Sequence, residues 1–105
     1  NKDGHFKLNV SRILYVEIDK HYVTYHTIDG DITALGTMTA VAEELKNAPF
    51  SFCNRCYFVN LKHVVGIKQT FVLLDGNIEL QMSRHKRTEF VAALNEYLAG
   101  GGNRA

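Results

Sequence analysis

The sequence lacks any apolar run that approaches the roughly 18 residues of a membrane-spanning helix, and it has no secretory segment near Asn1. It also lacks the polar bias of a disordered chain, since 46% of its 105 residues are hydrophobic and 10% are aromatic. A chain of this length is expected to form one domain with a real core. We therefore predict a globular domain in the cytoplasm that makes no membrane contact.

Recognisable catalytic motifs are missing as well. The chain has no G-x-S-x-G, P-loop or H-E-x-x-H sequence. Glu17 and Asp19 lie with Tyr15 on one face of a strand, and we interpret this face as solvated. We interpret His26 as a surface or packed residue. The sequence predicts a protein that is not an enzyme and that needs no cofactor.

Cysteine is scarce, with two residues spaced as Cys53-Asn54-Arg55-Cys56. A redox C-x-x-C needs its first thiol at a helix N-terminus, whereas the flanking residues Phe50–Phe58 are typical of strands. A zinc site would need two further ligands at suitable spacing, and the sequence offers none. We interpret Cys53 and Cys56 as mostly buried thiols in a reducing compartment, and a redox or metal site stays open as a third alternative.

The net charge is only +1, so any binding of nucleic acid must depend on local clusters of charge. Three such clusters are present, at Lys20–His21, at Arg55 and at Arg84–Arg87. The third stands at the predicted start of a helix, where unpaired amide groups and the helix dipole already attract anions. This junction, Ile78–Arg87, is predicted to form part of a nucleic-acid-binding surface.

The pattern of apolar residues predicts a mostly β fold. Asp19-Lys20-His21 and Asp29-Gly30 are turn signals, the second of them typical of a type I′ hairpin, and Asp75-Gly76-Asn77 predicts a further hairpin. In chain order the predicted strands are His5–Val10, Ile13–Asp19, Tyr22–Ile28, Asp31–Leu35, segments within Phe50–Asn60, Leu61–Lys68, Phe71–Leu74 and Ile78–Met82.

Two helices are predicted. Thr37 can cap Met38–Lys46, and Pro49 prevents its continuation. Ser83 can cap Arg84–Leu98, and the glycines from Gly100 end that helix. The apolar stripe of the second helix is predicted to consist of Phe90, Val91, Leu94 and Leu98.

Each cationic cluster taken alone has an ordinary interpretation as a solvated turn or surface. Arg can nevertheless donate twice to guanine, and loops on a rigid β scaffold can reach base edges. From spacing alone, two functions remain open: a nucleic-acid-binding module, and a β-rich module that binds a protein or a small ligand.

Several segments together resemble one family, the LytTR DNA-binding domain of LytR/AlgR-type bacterial response regulators. The resemblance extends from about Phe6 to Leu98. Ile13–Glu17 is similar to the strand that begins the family's recognisable core, and Lys20-His21 stands where the family has its first loop. Phe50–Asn60 is similar to the family's arginine- and serine-containing run, and Met82-Ser83-Arg84 resembles the start of its last helix.

The sequence departs from the family pattern around Arg55. Phe52 stands in place of an arginine, Asn54 in place of a histidine and Cys56 in place of a serine. These changes remove charge and alter hydrogen bonding beside Arg55, so the resemblance implies DNA binding without defining a preferred sequence.

The resemblance implies an elongated arrangement of small antiparallel sheets with one short internal helix and a C-terminal helix. It implies double-stranded DNA as the partner, with promoter direct repeats bound by dimers or tandem monomers whose loops enter successive major grooves. The implied DNA contacts are His21, Arg55 and Arg84, followed by Lys20, Asn54 and His85. We expect residues 1–99 to form the domain and 100–105 a flexible tail, and we expect a receiver domain to lie outside this chain, which begins without Met.

Overall fold

The computed structural model of the protein describes residues 8–100, and it contains eight strands and two α-helices in that range. The strands are β1 (Ile13–Asp19), β2 (Tyr22–Thr27), β3 (Gly30–Leu35), β4 (Phe50–Asn54), β5 (Tyr57–Asn60), β6 (Val64–Lys68), β7 (Phe71–Leu74) and β8 (Ile78–Gln81). The helices are α1 (Met38–Glu44) and α2 (Arg84–Leu98). Two 3-10 turns, Val10–Arg12 and Leu61–His63, precede β1 and β6.

The strands form two antiparallel sheets. The larger sheet has the order β3-β2-β1-β5-β4, and the smaller one has the order β6-β7-β8. The pairing of β1 with β5 joins Glu17 to Tyr57, so two hairpins that are distant in sequence become neighbours in one sheet. The mostly β fold class and its two helices are thereby confirmed.

Each face of the larger sheet packs against a different partner, because successive side chains of a strand point to opposite faces. On β5, Phe58 packs with Val41 and Leu45 of the α1 region. The next residue, Val59, packs with Phe90 and Leu94 of α2 and with the smaller sheet. The sheet therefore separates two apolar clusters, one on each of its faces.

The N-terminal approach to β1 differs from the prediction. Of the predicted strand His5–Val10, His5–Lys7 lie outside the described residues, Leu8 and Asn9 are not in a strand, and Val10 begins a 3-10 turn. The side chain of Asn9 explains the turn, because its Oδ1 accepts hydrogen bonds from the Ser11 amide at 3.1 Å and from the Ser11 hydroxyl at 2.7 Å.

Two details of the β regions also differ from the prediction. The turn between β2 and β3 is not type I′, because its two central residues are Ile28 and Asp29 and neither has the positive φ that type I′ requires. Gly30, with a φ of +122°, is already the first residue of β3 and pairs with Thr27. The predicted strand Leu61–Lys68 begins at Val64, because the Asn60 side chain accepts a hydrogen bond from the Lys62 amide at 3.1 Å and folds Leu61–His63 into a 3-10 turn.

Both helix caps are confirmed. The Thr37 hydroxyl accepts a hydrogen bond from the Ala40 amide at 3.1 Å, and the Ser83 hydroxyl accepts one from the Lys86 amide at 3.2 Å. Helix α1 ends at Glu44, two residues before its predicted end. In α2 the predicted apolar residue Leu98 is 68% exposed, and Tyr97 packs against the core instead.

The molecule measures 41 × 32 × 25 Å along its principal axes, which agrees with an elongated arrangement. Between Leu8 and Gly100, none of the helices has the length and apolarity needed to cross a membrane.

Candidate functional site

One end of the larger sheet brings together two of the predicted cationic sites. The turn between β1 and β2 consists of Lys20 and His21, and the turn between β4 and β5 contains Arg55. The Ile18 amide donates a hydrogen bond to the Cys56 carbonyl oxygen at 3.0 Å, so the two turns are adjacent. Lys20, His21 and Arg55 are all exposed there.

The start of α2 lies at the same end. The Ser83 amide donates a hydrogen bond to the Cys53 carbonyl oxygen at 2.9 Å, which attaches the helix cap to β4 just before the Arg55 turn. Arg84 and His85 follow Ser83 and are exposed. The structure therefore gathers His21, Arg55 and Arg84, which are far apart in sequence, on one end of the molecule, which we call the loop end.

An open groove of about 550 Å³ lies beside Arg55. Its floor is apolar and includes Phe52 and Met38, and its rim includes Arg55 and Lys86. The Lys86 ammonium stands 5.7 Å from the centre of the Phe52 ring, a cation–π distance. Phe52, which replaces the arginine of the family pattern, thus supports a lysine of α2 at the loop end.

Asn54 is placed differently from the other five candidates. Its Nδ2 donates a hydrogen bond to the Gln81 carbonyl oxygen at 2.6 Å, and its Oδ1 accepts one from the Cys56 amide at 2.7 Å. The side chain is partly buried between the Arg55 turn and the end of β8. Both of its polar atoms therefore bind the protein itself.

The turn between β6 and β7, Gln69-Thr70, also reaches the loop end, which the sequence did not indicate. The Met82 amide donates a hydrogen bond to the Thr70 carbonyl oxygen at 2.8 Å, and Arg87 Nη1 donates one to the Gln69 carbonyl oxygen at 3.1 Å. The exposed Lys68 precedes this turn. A single lysine at the end of a strand carries no sequence signal, and only the packing against α2 identifies it as part of this surface.

Lys20 has an uncommon backbone conformation. Its φ is +59°, in the left-handed region that costs energy for a residue with a Cβ atom. The conformation lets a loop of only two residues join Asp19 to Tyr22, which are paired across the hairpin. The Gly36 amide further fixes the loop by donating to the His21 carbonyl oxygen at 2.9 Å.

Side-chain contacts at the opposite end of the molecule link segments that are distant in sequence. His63 is buried, with its Nε2 donating to the Ser11 carbonyl oxygen at 2.7 Å and its Nδ1 lying 2.9 Å from the Asp75 carboxylate. Arg12 pairs with Asp29 at 2.7 Å. The sequence had not indicated this role for His63, because its partners are distant along the chain.

The face of β1 that was interpreted as solvated is partly covered. Tyr15 stacks on His26, with ring centres 4.3 Å apart, and the His26 Nε2 lies 2.8 Å from Glu17 Oε1. Burial, and then the charges of Glu17, the neighbouring Tyr57 and Asp31, raise the pKa of Tyr15 to about 12. His26 is a packed residue, and Glu17 is partly covered by its contact with His26, whereas Asp19 is exposed.

The two cysteines are free thiols in different environments. Cys53 is fully buried, and this burial raises its pKa to about 12, whereas Cys56 is partly exposed. A nucleophilic or redox thiol needs a lowered pKa, so the environment of Cys53 favours a packing role. Among residues 8–100, no three His, Cys, Asp or Glu side chains are grouped as a metal site requires.

Comparisons with known proteins agree with the resemblance seen in the sequence. A sequence model of a family described as the LytTr DNA-binding domain matches residues 3–95. The fold is similar to that of a solved LytTr DNA-binding domain from Bacillus cereus, described as part of a methyl-accepting/DNA response regulator. The TM-score is 0.74 over 85% of this chain and 86% of that one, at 18% identity. No curated protein matches the sequence significantly.

Proposed function

Because the chain belongs to the LytTR family of DNA-binding domains, we propose that it is the sequence-specific DNA-binding part of a bacterial response regulator and that its loop end is the surface that binds DNA. The observation that supports this placement most directly is the gathering of His21, Arg55 and Arg84 at one end of the larger sheet. Nothing in their sequence spacing requires this arrangement, yet the pairing of β1 with β5 and the attachment of α2 to β4 produce it.

The residues of the loop end divide into two roles. Arg55 and Arg84 are exposed and project from a tight turn and from a helix start, so each can direct its planar fork at the O6 and N7 atoms of guanine. His21 is the third base-contacting candidate. Lys20 and His85, together with Lys68 and Lys86, stand beside them and are suited to binding phosphates.

The loop end presents several contact elements to a duplex. They are the Lys20-His21 and Arg55 turns of the larger sheet, the Gln69-Thr70 turn of the smaller sheet and the start of α2. We propose that the turns and the start of α2 enter successive major grooves of promoter direct repeats, bound by a dimer or by tandem monomers. A receiver domain outside this chain would control the binding.

Substitution of the two arginines tests this function. Arg55→Ala and Arg84→Ala should each weaken binding to a cognate duplex by roughly 1–3 kcal/mol, since each removes a bidentate base contact. The duplex is one that the wild-type chain selects from a random-sequence library, and affinity is measured by gel shift or fluorescence anisotropy. Lys62→Ala is the matched control, because Lys62 is an exposed cation at the opposite end. Wild-type affinity of the Arg55→Ala/Arg84→Ala double variant would refute the placement.

A further inference from the structure

We infer that Asn54 does not bind DNA but is a positioning residue, which holds the turn bearing Arg55 against the start of the helix bearing Arg84. The inference rests on the proposed function of the loop end. It assigns a separate role to the one candidate whose polar side-chain atoms are both bound within the protein.

The first half of this role is to shape the turn. Asn54 Oδ1 accepts a hydrogen bond from the Cys56 amide, two residues ahead, at 2.7 Å. This side-chain-to-backbone pattern is an Asx turn, which fixes the backbone on either side of the residue between its ends. That middle residue is Arg55, so the direction in which the arginine leaves the turn depends on Asn54.

The second half of this role is to attach the turn to the segment that precedes α2. Asn54 Nδ2 donates to the Gln81 carbonyl oxygen at 2.6 Å, three residues before Arg84. The Ser83 amide adds a parallel link by donating to the Cys53 carbonyl oxygen at 2.9 Å. With the weaker contact of the Cys53 thiol to the same Gln81 oxygen at 3.8 Å, three hydrogen bonds join the strand end of β4 to the residues that lead into α2.

The local backbone explains why a side chain is needed at this point. The pairing of β4 with β5 shifts register between Phe52 and Asn54, so the ladder is interrupted just before the Arg55 turn. A bulge of this kind redirects the strand and leaves backbone groups without a ladder partner. The Ser83 amide pairs with the carbonyl oxygen of the bulged residue Cys53. The carboxamide of Asn54, which offers a donor and an acceptor at once, holds the turn that follows.

The consequence for DNA binding is geometric. Arg55 and Arg84 reach bases together only if the distance between the turn and the helix start is fixed before binding, because ordering them on the duplex would cost entropy. The side chain of Asn54 supplies this preorganisation. Its loss should therefore reduce sequence-specific binding while leaving the attraction of lysines to phosphates intact.

The test combines substitutions at Asn54 and Arg55 with the duplex selected by the wild-type chain. Asn54→Ala should weaken binding to this duplex about tenfold and leave binding to a scrambled duplex unchanged. In the Asn54→Ala background, Arg55→Ala should reduce affinity for the selected duplex much less than it does in the wild type, because the arginine is no longer held in its binding orientation. A serine at position 54 can keep the hydrogen bond that forms the turn, but its side chain is too short to reach Gln81. If the link to Gln81 is the contact that matters for binding, Asn54→Ser should lose as much affinity as Asn54→Ala.

The outcomes separate the inference from the function on which it rests. If Asn54 contacts DNA on its own, the effects of Asn54→Ala and Arg55→Ala multiply, and the inference is wrong while the proposed function stands. If the wild-type chain enriches no duplex, the proposed function fails, and the inference with it.

An NMR titration of the wild type covers the case in which variants unfold. The side-chain amide of Asn54 should stay protected and unshifted as duplex is added while Arg55 Nε–H shifts, and a comparable shift at Asn54 would overturn the inference.

Discussion

Cys53 and Cys56 stand three positions apart, yet the packing around them makes their chemistry different. Cys53 points into the cluster that joins the larger sheet to α2, while Cys56 lies in the turn beside Arg55 with partial access to solvent. The spacing of the two thiols resembles a redox motif, but the buried side chain lacks the electropositive surroundings that such a motif needs. Environment, rather than spacing, decides the role of each thiol.

The raised pKa of Cys53 predicts a loss of stability in alkali. The thiol ionises near pH 8.5 in the unfolded chain but only at about 12 in the folded one. Above about pH 9 the unfolded state therefore releases a proton that the folded state keeps, so the free energy of unfolding falls as pH rises. Urea denaturation at pH 7 and at about pH 10 should show this loss in the wild type.

The same experiment has a matched control. Cys53→Ala should lose less stability between the two pH values than the wild type, whereas Cys56→Ala should lose as much as the wild type, because it keeps the buried thiol. Equal alkaline losses in all three proteins would show that burial of Cys53 does not govern its ionisation.

Residue-level reasoning from sequence identified the exposed cations and failed for residues that act through distant partners. His21, Arg55 and Arg84 were found because a charged side chain at a turn or helix start has a local signature. Asn54 and His63 also hydrogen-bond to groups far away in the chain, Gln81 and Asp75 respectively, so no local pattern could reveal the links that they make between segments.

At the scale of elements, the caps of the two helices have the same chemistry but different surroundings. Thr37 and Ser83 each accept a hydrogen bond from the amide three residues ahead. Ser83 also donates its own amide to Cys53, at the base of the Arg55 turn. The cap of α2 is therefore part of the loop end, whereas the cap of α1 supports only its own helix and the connection from β3.

Because Arg84 stands in the first turn of α2 at the loop end, loss of the two cap hydroxyls is predicted to have distinct effects. Ser83→Ala and Thr37→Ala should each lower the free energy of unfolding by about 1 kcal/mol, the usual cost of losing a hydroxyl cap. Ser83→Ala should in addition weaken DNA binding, because the first turn of α2 presents Arg84. Chemical denaturation and fluorescence anisotropy with the selected duplex measure the two quantities. Equal losses of DNA affinity in both variants would show that the α2 cap has no special part in binding.

Element boundaries were predictable where one residue imposes them locally. The bounds of α2 follow from Ser83 and the glycine at position 100, and both were predicted correctly. The 3-10 turn at Leu61–His63 was not predicted, because Leu61-Lys62-His63-Val64 continues the apolar–polar alternation of a strand and only the capping by Asn60 bends the chain. The bulge in β4 was missed as well, since it arises from pairing with β5.

At the scale of the whole molecule, the sequence allowed the fold class to be predicted but not the meeting of the three cationic sites. Alternating apolar residues indicate strands, yet they do not say which strands become neighbours. The order β3-β2-β1-β5-β4 places the Lys20-His21 turn beside the Arg55 turn, although three strands and a helix separate the two in sequence. The family resemblance supplied the overall arrangement, and the packing of α2 completes it.

The charge of the molecule is nearly balanced in sum, but its cations are unevenly placed. Most lysines and arginines between positions 8 and 100 lie at the loop end, where Asp19, Glu43 and Glu89 also lie, while Asp29, Asp31 and Asp75 lie toward the opposite end. The cations of the loop end are Lys20, Arg55, Lys68, Arg84, Lys86 and Arg87. A net charge of +1 gives little attraction at long range, so the binding of DNA must depend on phosphate contacts at this end.

This uneven placement predicts a measurable salt dependence. If two of the six cations reach bases, about four remain for phosphates, and the slope of log K against log salt should be about −3 to −4, at roughly 0.9 per phosphate. Lys68→Ala should make the slope shallower by about one and weaken binding to the selected and scrambled duplexes alike. Lys62→Ala should leave the slope unchanged, because Lys62 lies at the opposite end. Anisotropy titrations over several salt concentrations measure these slopes. A slope near zero would show that the loop end is not the surface that neutralises DNA. Equal changes of slope for the two lysine variants would show the same.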